Sequence, residues 1–142
     1  EVDDLELAKE LFAAMEGQDV DFTMLFRGLA ESLRGNSENV RDLFDDLEKF
    51  DQWFIRWTER LSRDTMTTED RISAMNAVNP IYIPRNHKVE EALQAAEVES
   101  NYEPFEKLMT VLANPFEERE GLEEYAAPAP SDFPPYRTFC GT

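Results

Sequence analysis

Between Val40 and Leu61 the apolar residues Val40, Leu43, Phe44, Leu47, Phe50, Phe54, Trp57 and Leu61 recur three or four positions apart. A strand turns alternate residues to one face, whereas a helix brings every third or fourth residue onto one stripe. The spacing therefore commits this stretch to a buried helical face, and one long helix is predicted from about Ser37 to Ser62 as the spine of the core. Asp45 with Lys49, and Glu59 with Arg63, stand four apart and are placed as charge pairs on its polar side.

The same period runs through most of the chain. "DDLELAKELFAAMEG" opens with acids suited to the positive end of a helix dipole and stops at Gly17. In "VDFTMLFRGLAESLRGN" Asp21 is the N-cap, and Phe22, Leu25, Phe26, Leu29, Ala30 and Leu33 form the face before Gly35 and Asn36 end it. "TTEDRISAMNAVNP" is a short helix capped by Thr67 and halted at Asn79-Pro80, and "IYIP" is an extended connector. "RNHKVEEALQAAEV" turns Val89, Ala92, Leu93 and Ala96 inward. "NYEPFEKLMTVLANP" starts at the cap Asn101, tolerates Pro104 in its first turn, and faces the core with Phe105, Leu108, Met109 and Leu112.

Beyond Asn114 no period is sustained, and five of the eight prolines fall there. The expectation is an all-α protein of five to six amphipathic helices, packed as a small irregular bundle over residues 1–114. Residues 115–142 are expected as an acidic, Pro-rich, non-helical tail that lies across a partner surface or is mobile.

Charge excludes several function classes. Against 14 Lys and Arg stand 31 Asp and Glu, a net charge of -17, whereas nucleic acids and anionic membranes are bound by neutralising their phosphates with cations. A 42% hydrophobic fraction is nonetheless too rich for a disordered chain. No stretch approaches the ~20 apolar residues of a membrane span. The first residue is Glu1, and the expectation drawn from it is a piece of a longer or processed protein.

Chemistry is sparse. The one histidine, His87, begins a polar helix and reads as an exposed surface residue, so a Ser-His or Cys-His pair has little to draw on. A di-metal carboxylate bundle needs two Glu-x-x-His motifs, and Pro84 stands three before the one histidine. Gly17, Gly28, Gly35, Gly121 and Gly141 never cluster into a phosphate-cradling loop. With 31 acids, paired carboxylates identify nothing. Cys140 remains, in "PYRTFCGT": a lone thiol is an accident, an intermolecular partner, or half of a pair whose other member lies elsewhere.

From Asn79 onward an ordered succession of motifs appears. "NPIYIPRN" supplies Asn79, Pro80, Tyr82, Arg85 and Asn86, and an alanine-rich helix follows with Ala92, Ala95 and Ala96. Then come Asn114, Pro115 and Phe116, the "EYAAPAP" segment with Tyr125 and Ala126, and Cys140 near the end. Upstream, "DFTMLFRGL" adds Asp21 to Leu29. This succession resembles the C-terminal end of the selenoprotein O (SelO, YdiU) family.

The resemblance implies a parent protein with a kinase-like domain that transfers AMP from ATP to protein hydroxyls. It places the ATP and Mg2+ residues upstream of this stretch, so no cofactor, metal or catalytic residue is expected within it. The implied partners are the upstream kinase-like domain and the parent's protein substrates, in the bacterial cytoplasm or the eukaryotic mitochondrion. It also implies that Cys140 is a redox half-site, able to pair with a cysteine of the catalytic part; the apolar stripes add the expectation that a region packing on that part exposes, by itself, an apolar patch open to self-association. The competing expectation is an autonomous acidic helical module that docks a partner without catalysis.

Overall fold

The computed structural model describes residues 2–134, which are helical with no strand among them. Eight helices follow in order: α1 (Val2–Met15), α2 (Phe22–Ser32), α3 (Glu38–Arg41), α4 (Glu48–Ser62), α5 (Thr68–Val78), α6 (Asn86–Glu99), α7 (Glu103–Leu112) and α8 (Glu123–Ala126). Six have ten or more residues, and α3 and α8 are single four-residue turns. The chain divides into two compact units, Glu1–Asn79 and Pro80–Thr142.

In the first unit α1 packs on α4, and α2 packs on α3 and α5. Leu7, Leu11, Ala14, Leu25, Leu29, Val40, Phe44, Phe50 and Trp53 form its core. Each fully buried large side chain contributes roughly 1.5–3 kcal/mol. Rings supply much of the packing, with Phe44 and Phe50 4.4 Å apart and Trp53 and Trp57 5.5 Å apart between centroids. Trp53 also donates its indole N–H to the Leu7 carbonyl at 2.8 Å, which ties α4 to α1. Gly28 allows α2 to approach α3, because a Cβ there would lie 3.1 Å from the Val40 Cβ.

The predicted caps form. The Asp21 carboxylate accepts from the Met24 amide at 2.8 Å, and the Thr67 hydroxyl accepts from the Asp70 amide at 3.2 Å. Asn101 acts from just outside α7, accepting from the Glu103 amide at 3.1 Å. Glu59 and Arg63 pair at 3.3 Å.

The long helix expected from Ser37 to Ser62 is instead two helices, with residues 42–47 between α3 and α4. Side chains there bond to backbone in place of helical partners. Gln18 reaches across to donate to the Asp46 carbonyl (3.2 Å) and accept from its amide (2.8 Å), while the Asp46 carboxylate accepts from the Glu48 amide at 3.0 Å. Asp45 thereby precedes α4, and its predicted partner Lys49 reaches the Ala13 carbonyl at 3.5 Å. The interruption resets the helical phase. Trp53, outside the predicted stripe, is 4% exposed, whereas Phe54 and Trp57 sit at the core's edge.

In the second unit α6 packs on α7 around a smaller core of Tyr82, Ala92, Leu108, Val111 and Tyr125. The units divide at Asn79/Pro80, so the boundary expected at 114/115 falls inside the second one. Prolines prevent long helices there but not packing: Leu122, Tyr125 and Ala126 join the core, and Glu123–Ala126 is helical. Leu93, predicted inward on α6, is exposed, and so are Phe105 and Met109 on α7.

Candidate functional site

The chain's cations are few, and among the described residues of the second unit Arg85, Lys88, Lys107 and Arg119 each reach Tyr82, Tyr125 or Ala126 of its core. The N-terminus of α6 carries Arg85, His87 and Lys88, and the segment after α7 brings Arg119, Glu124 and Tyr125. Non-helical backbone at Ile81 and Tyr82 begins the arrangement: both amides donate to the Pro115 carbonyl, at 2.8 and 3.1 Å. A proline carbonyl with no amide of its own to satisfy thus closes the unit.

Arg119 lies over that closure. Its guanidinium donates to the Val111 carbonyl at 2.6 Å, which also accepts from the Asn114 amide at 3.4 Å, and to the Asn114 carbonyl at 3.3 Å, just past the end of α7. Its Cζ stands 5.1 Å from the Tyr82 ring centre. The Tyr82 hydroxyl donates to the Arg119 carbonyl (3.3 Å) and accepts from the Arg119 amide (3.0 Å). Arg85 extends the set by donating to the Ala126 carbonyl at 3.0 Å.

Lys88 is well enclosed, its side chain 12% exposed. It donates to Glu91 at 3.0 Å and to Glu124, and sits 5.1 Å from the Tyr125 ring centre. Burial works to lower its pKa, but the bonds to Glu124 and Glu91 outweigh it, and the ammonium ends above its ordinary value. Reciprocally, the Lys88 hydrogen bond holds the Glu124 carboxyl below its usual range. His87 is half-buried rather than exposed as expected, its ring edge-on to Phe133 at 5.9 Å. Burial, and then the positive charges of Lys88 and Arg85, push its pKa down.

This arrangement ties chain to chain within the unit. The Arg85 and Arg119 guanidinium groups donate to backbone carbonyls and Lys88 to the Glu91 and Glu124 carboxylates, while Arg119 Nε and His87 Nδ1 are buried without a hydrogen-bond partner. No group of three or more His, Cys, Asp or Glu among the described residues could hold a metal ion. A groove in the first unit, lined by Glu10, Ala13, Lys49, Gln52, Trp53 and Arg56, encloses about 230 Å³, and its Arg56 is already paired with Glu10. That is below the ~300–1,000 Å³ of small-molecule sites. No helix among the described residues is long and apolar enough to cross a membrane.

Of the residues singled out in the sequence, Tyr82, Arg85, Ala92, Pro115 and Tyr125 are brought together in the second unit. Asn79 belongs to the first, where it ends α5 and donates from its side chain to the Met75 carbonyl at 2.8 Å. Cys140, the expected redox residue, lies outside the described residues. Arg119 and Lys88 were missed. The available signal for Arg119 was its position as the one cation in "FEEREGLEE", where open carbonyls at a helix end call for a donor.

Comparison with known proteins adds an independent line. The family model described as protein adenylyltransferase SelO matches residues 1–113. A protein nucleotidyltransferase YdiU of Sphingopyxis alaskensis is 45% identical over 140 residues, covering 99% of this chain and 28% of that protein. The protein of the same name from Mycobacterium sp. (strain KMS) is 48% identical over 136 residues, covering 96% and 26%. That from Agrobacterium fabrum is 39% identical over 139 residues, covering 98% and 28%. The chain thus spans little more than a quarter of the length of these relatives.

Proposed function

The chain belongs to the SelO family, and from that premise we propose that it is the C-terminal helical region of a protein adenylyltransferase. In this reading the remainder of the polypeptide binds ATP and Mg2+ in a kinase-like domain. There a hydroxyl of a protein substrate attacks the α-phosphorus, pyrophosphate leaves and the hydroxyl proton is released. The present region supports that domain. The observation that carries the reading is how the motif residues are used: Tyr82, Arg85, Pro115 and Tyr125 are spent on closing a helical unit, through the Pro115 carbonyl, Ala126 and the core.

The full-length polypeptide, supplied with ATP and Mg2+, is expected to add an adenylyl group to Ser, Thr or Tyr of protein substrates, read by mass spectrometry. The 142-residue chain is expected to transfer none and to melt at the same temperature with and without ATP-Mg2+. Transfer by that chain alone, or a nucleotide-dependent rise in its Tm, would overturn the reading.

Cys140 is the proposed regulatory residue. Its thiol and that of a cysteine in the remainder together give two protons and two electrons to an oxidant of the peroxide class, and an S–S bond forms. The expected product is a linked peptide that disappears on reduction. Identical alkylation of Cys140 before and after oxidant would sink this part. The compartment proposed is the cytoplasm, as the matched relatives named above are bacterial.

A further inference from the structure

Successive residues of a helix are turned by about 100°, so Tyr102, Phe105, Met109 and Leu112 share one arc at α7, next to the arc of Leu108 and Val111. Leu108 and Val111 are buried, and Leu112 packs at the edge of the core. Tyr102, Phe105 and Met109 remain 60%, 44% and 53% exposed. The apolar arc of α7 is wider than the core of its own unit covers. Among the described residues that core has five buried members, few for a unit of this size to rest on without further support.

Charge and length narrow the occupant. Glu103 and Glu106 are exposed on the same helix, so a second copy would bring carboxylates against their own images in a chain of net charge -17. The relatives, in contrast, carry more than two-thirds of their length outside the matched stretch, which covers 26–29% of them. We propose that the Tyr102–Phe105–Met109 strip is the docking face for the remainder of the same polypeptide, through a surface with an apolar centre and Lys or Arg opposite Glu103 and Glu106. Tethering makes the effective concentration high, so a narrow strip suffices. This rests on the reading of the chain as one region of a longer SelO protein, and it deepens that reading by naming the surface.

The test uses the full-length polypeptide at low concentration. Benzoylphenylalanine placed at Phe105 is expected, on irradiation, to crosslink to peptides outside the 142 residues of this chain. Met109 is expected to be oxidised by peroxide at least about tenfold more slowly than in the urea-unfolded polypeptide. Crosslinks confined to this chain's own residues, crosslinks to a second copy, or no crosslinks at all overturn the inference. So does a Met109 that reacts as fast folded as unfolded. AMP transfer in the same preparation separates the two ideas. An active enzyme whose probe captures nothing overturns the docking face alone, while a probe that captures the remainder of an inactive polypeptide overturns the functional reading alone.

Discussion

The two units close by different physics. The first leans on stacked rings, Phe44 on Phe50 and Trp53 on Trp57, beside donors to carbonyls from Trp53 to Leu7, Gln18 to Asp46 and Arg71 to Leu61. The second has a thinner core and closes through donors aimed at carbonyls: Arg119 at Val111 and Asn114, Arg85 at Ala126, and the Ile81 and Tyr82 amides at Pro115. Ring burial is non-directional and spreads its energy over many contacts. Hydrogen-bonded closure concentrates it, and losing one partner leaves a buried group unsatisfied. The second unit is therefore the more exact in register and the easier to break at a single atom. The units also report separately, since both tryptophans, Trp53 and Trp57, lie in the first and all four tyrosines, Tyr82, Tyr102, Tyr125 and Tyr136, in the second.

The largest effect is expected from Phe50→Ala, which opens a cavity at the centre of the ring stack and costs about 3–5 kcal/mol. It is checked by Trp-monitored urea unfolding, and a comparable loss in the Tyr signal would show that the units do not unfold separately. Arg119→Ala is expected to cost about 2 kcal/mol in the Tyr-monitored transition, as charged bonds to the Val111 and Asn114 carbonyls are lost. Tyr82→Phe keeps the ring and removes the hydroxyl, for a loss of about 1 kcal/mol in the same transition.

A subtler separation comes with acid. Folded His87 has its pKa below 6.5, so as pH falls past that value the unfolded chain takes the proton first and stability drops. Folded Glu124 is held below 4.5, so its contribution is complete above that value and is lost as pH falls through the folded pKa. In the first unit Asp4 is held down by its Arg60 hydrogen bond, and its contribution persists until pH falls below the ordinary 3.8. Between pH 7 and 5 the Tyr midpoint is expected to fall more than the Trp midpoint, and His87→Gln to reduce that difference. The smallest effect is that of Arg63→Ala, which removes an exposed pair and is expected to shift the Trp midpoint by less than about 0.5 kcal/mol.

Sequence reasoning succeeded where structure is local. Asp21 and Thr67 cap the helices they were expected to cap, because an N-cap needs only its own side chain and an amide three residues on. It failed where distant groups decide. Nothing between Val40 and Leu61 announces that Gln18 will take both backbone groups of Asp46 and divide the helix. The prolines after Asn114 were informative about helix length and silent about burial, which depends on the Pro115 carbonyl meeting Ile81 and Tyr82. The motif residues of the candidate site were legible as a group through resemblance. Their work as ties was not, since it is defined by carbonyl acceptors that carry no sequence identity.

Those ties bear on the order in which the chain acquires its shape during synthesis. The first unit's defining bond joins Leu7 and Trp53, 46 residues apart, and every residue of that unit has been made by Asn79. The second unit's bonds join Tyr82 to Arg119 across 37 residues and Arg85 to Ala126 across 41. Until Ala126 has left the ribosome, α6 and α7 can pair but their closure is missing. A nascent chain that has emerged only as far as residues 115–126 would thus carry a finished first unit and an unlatched second one, the state in which a chaperone or protease has most to hold.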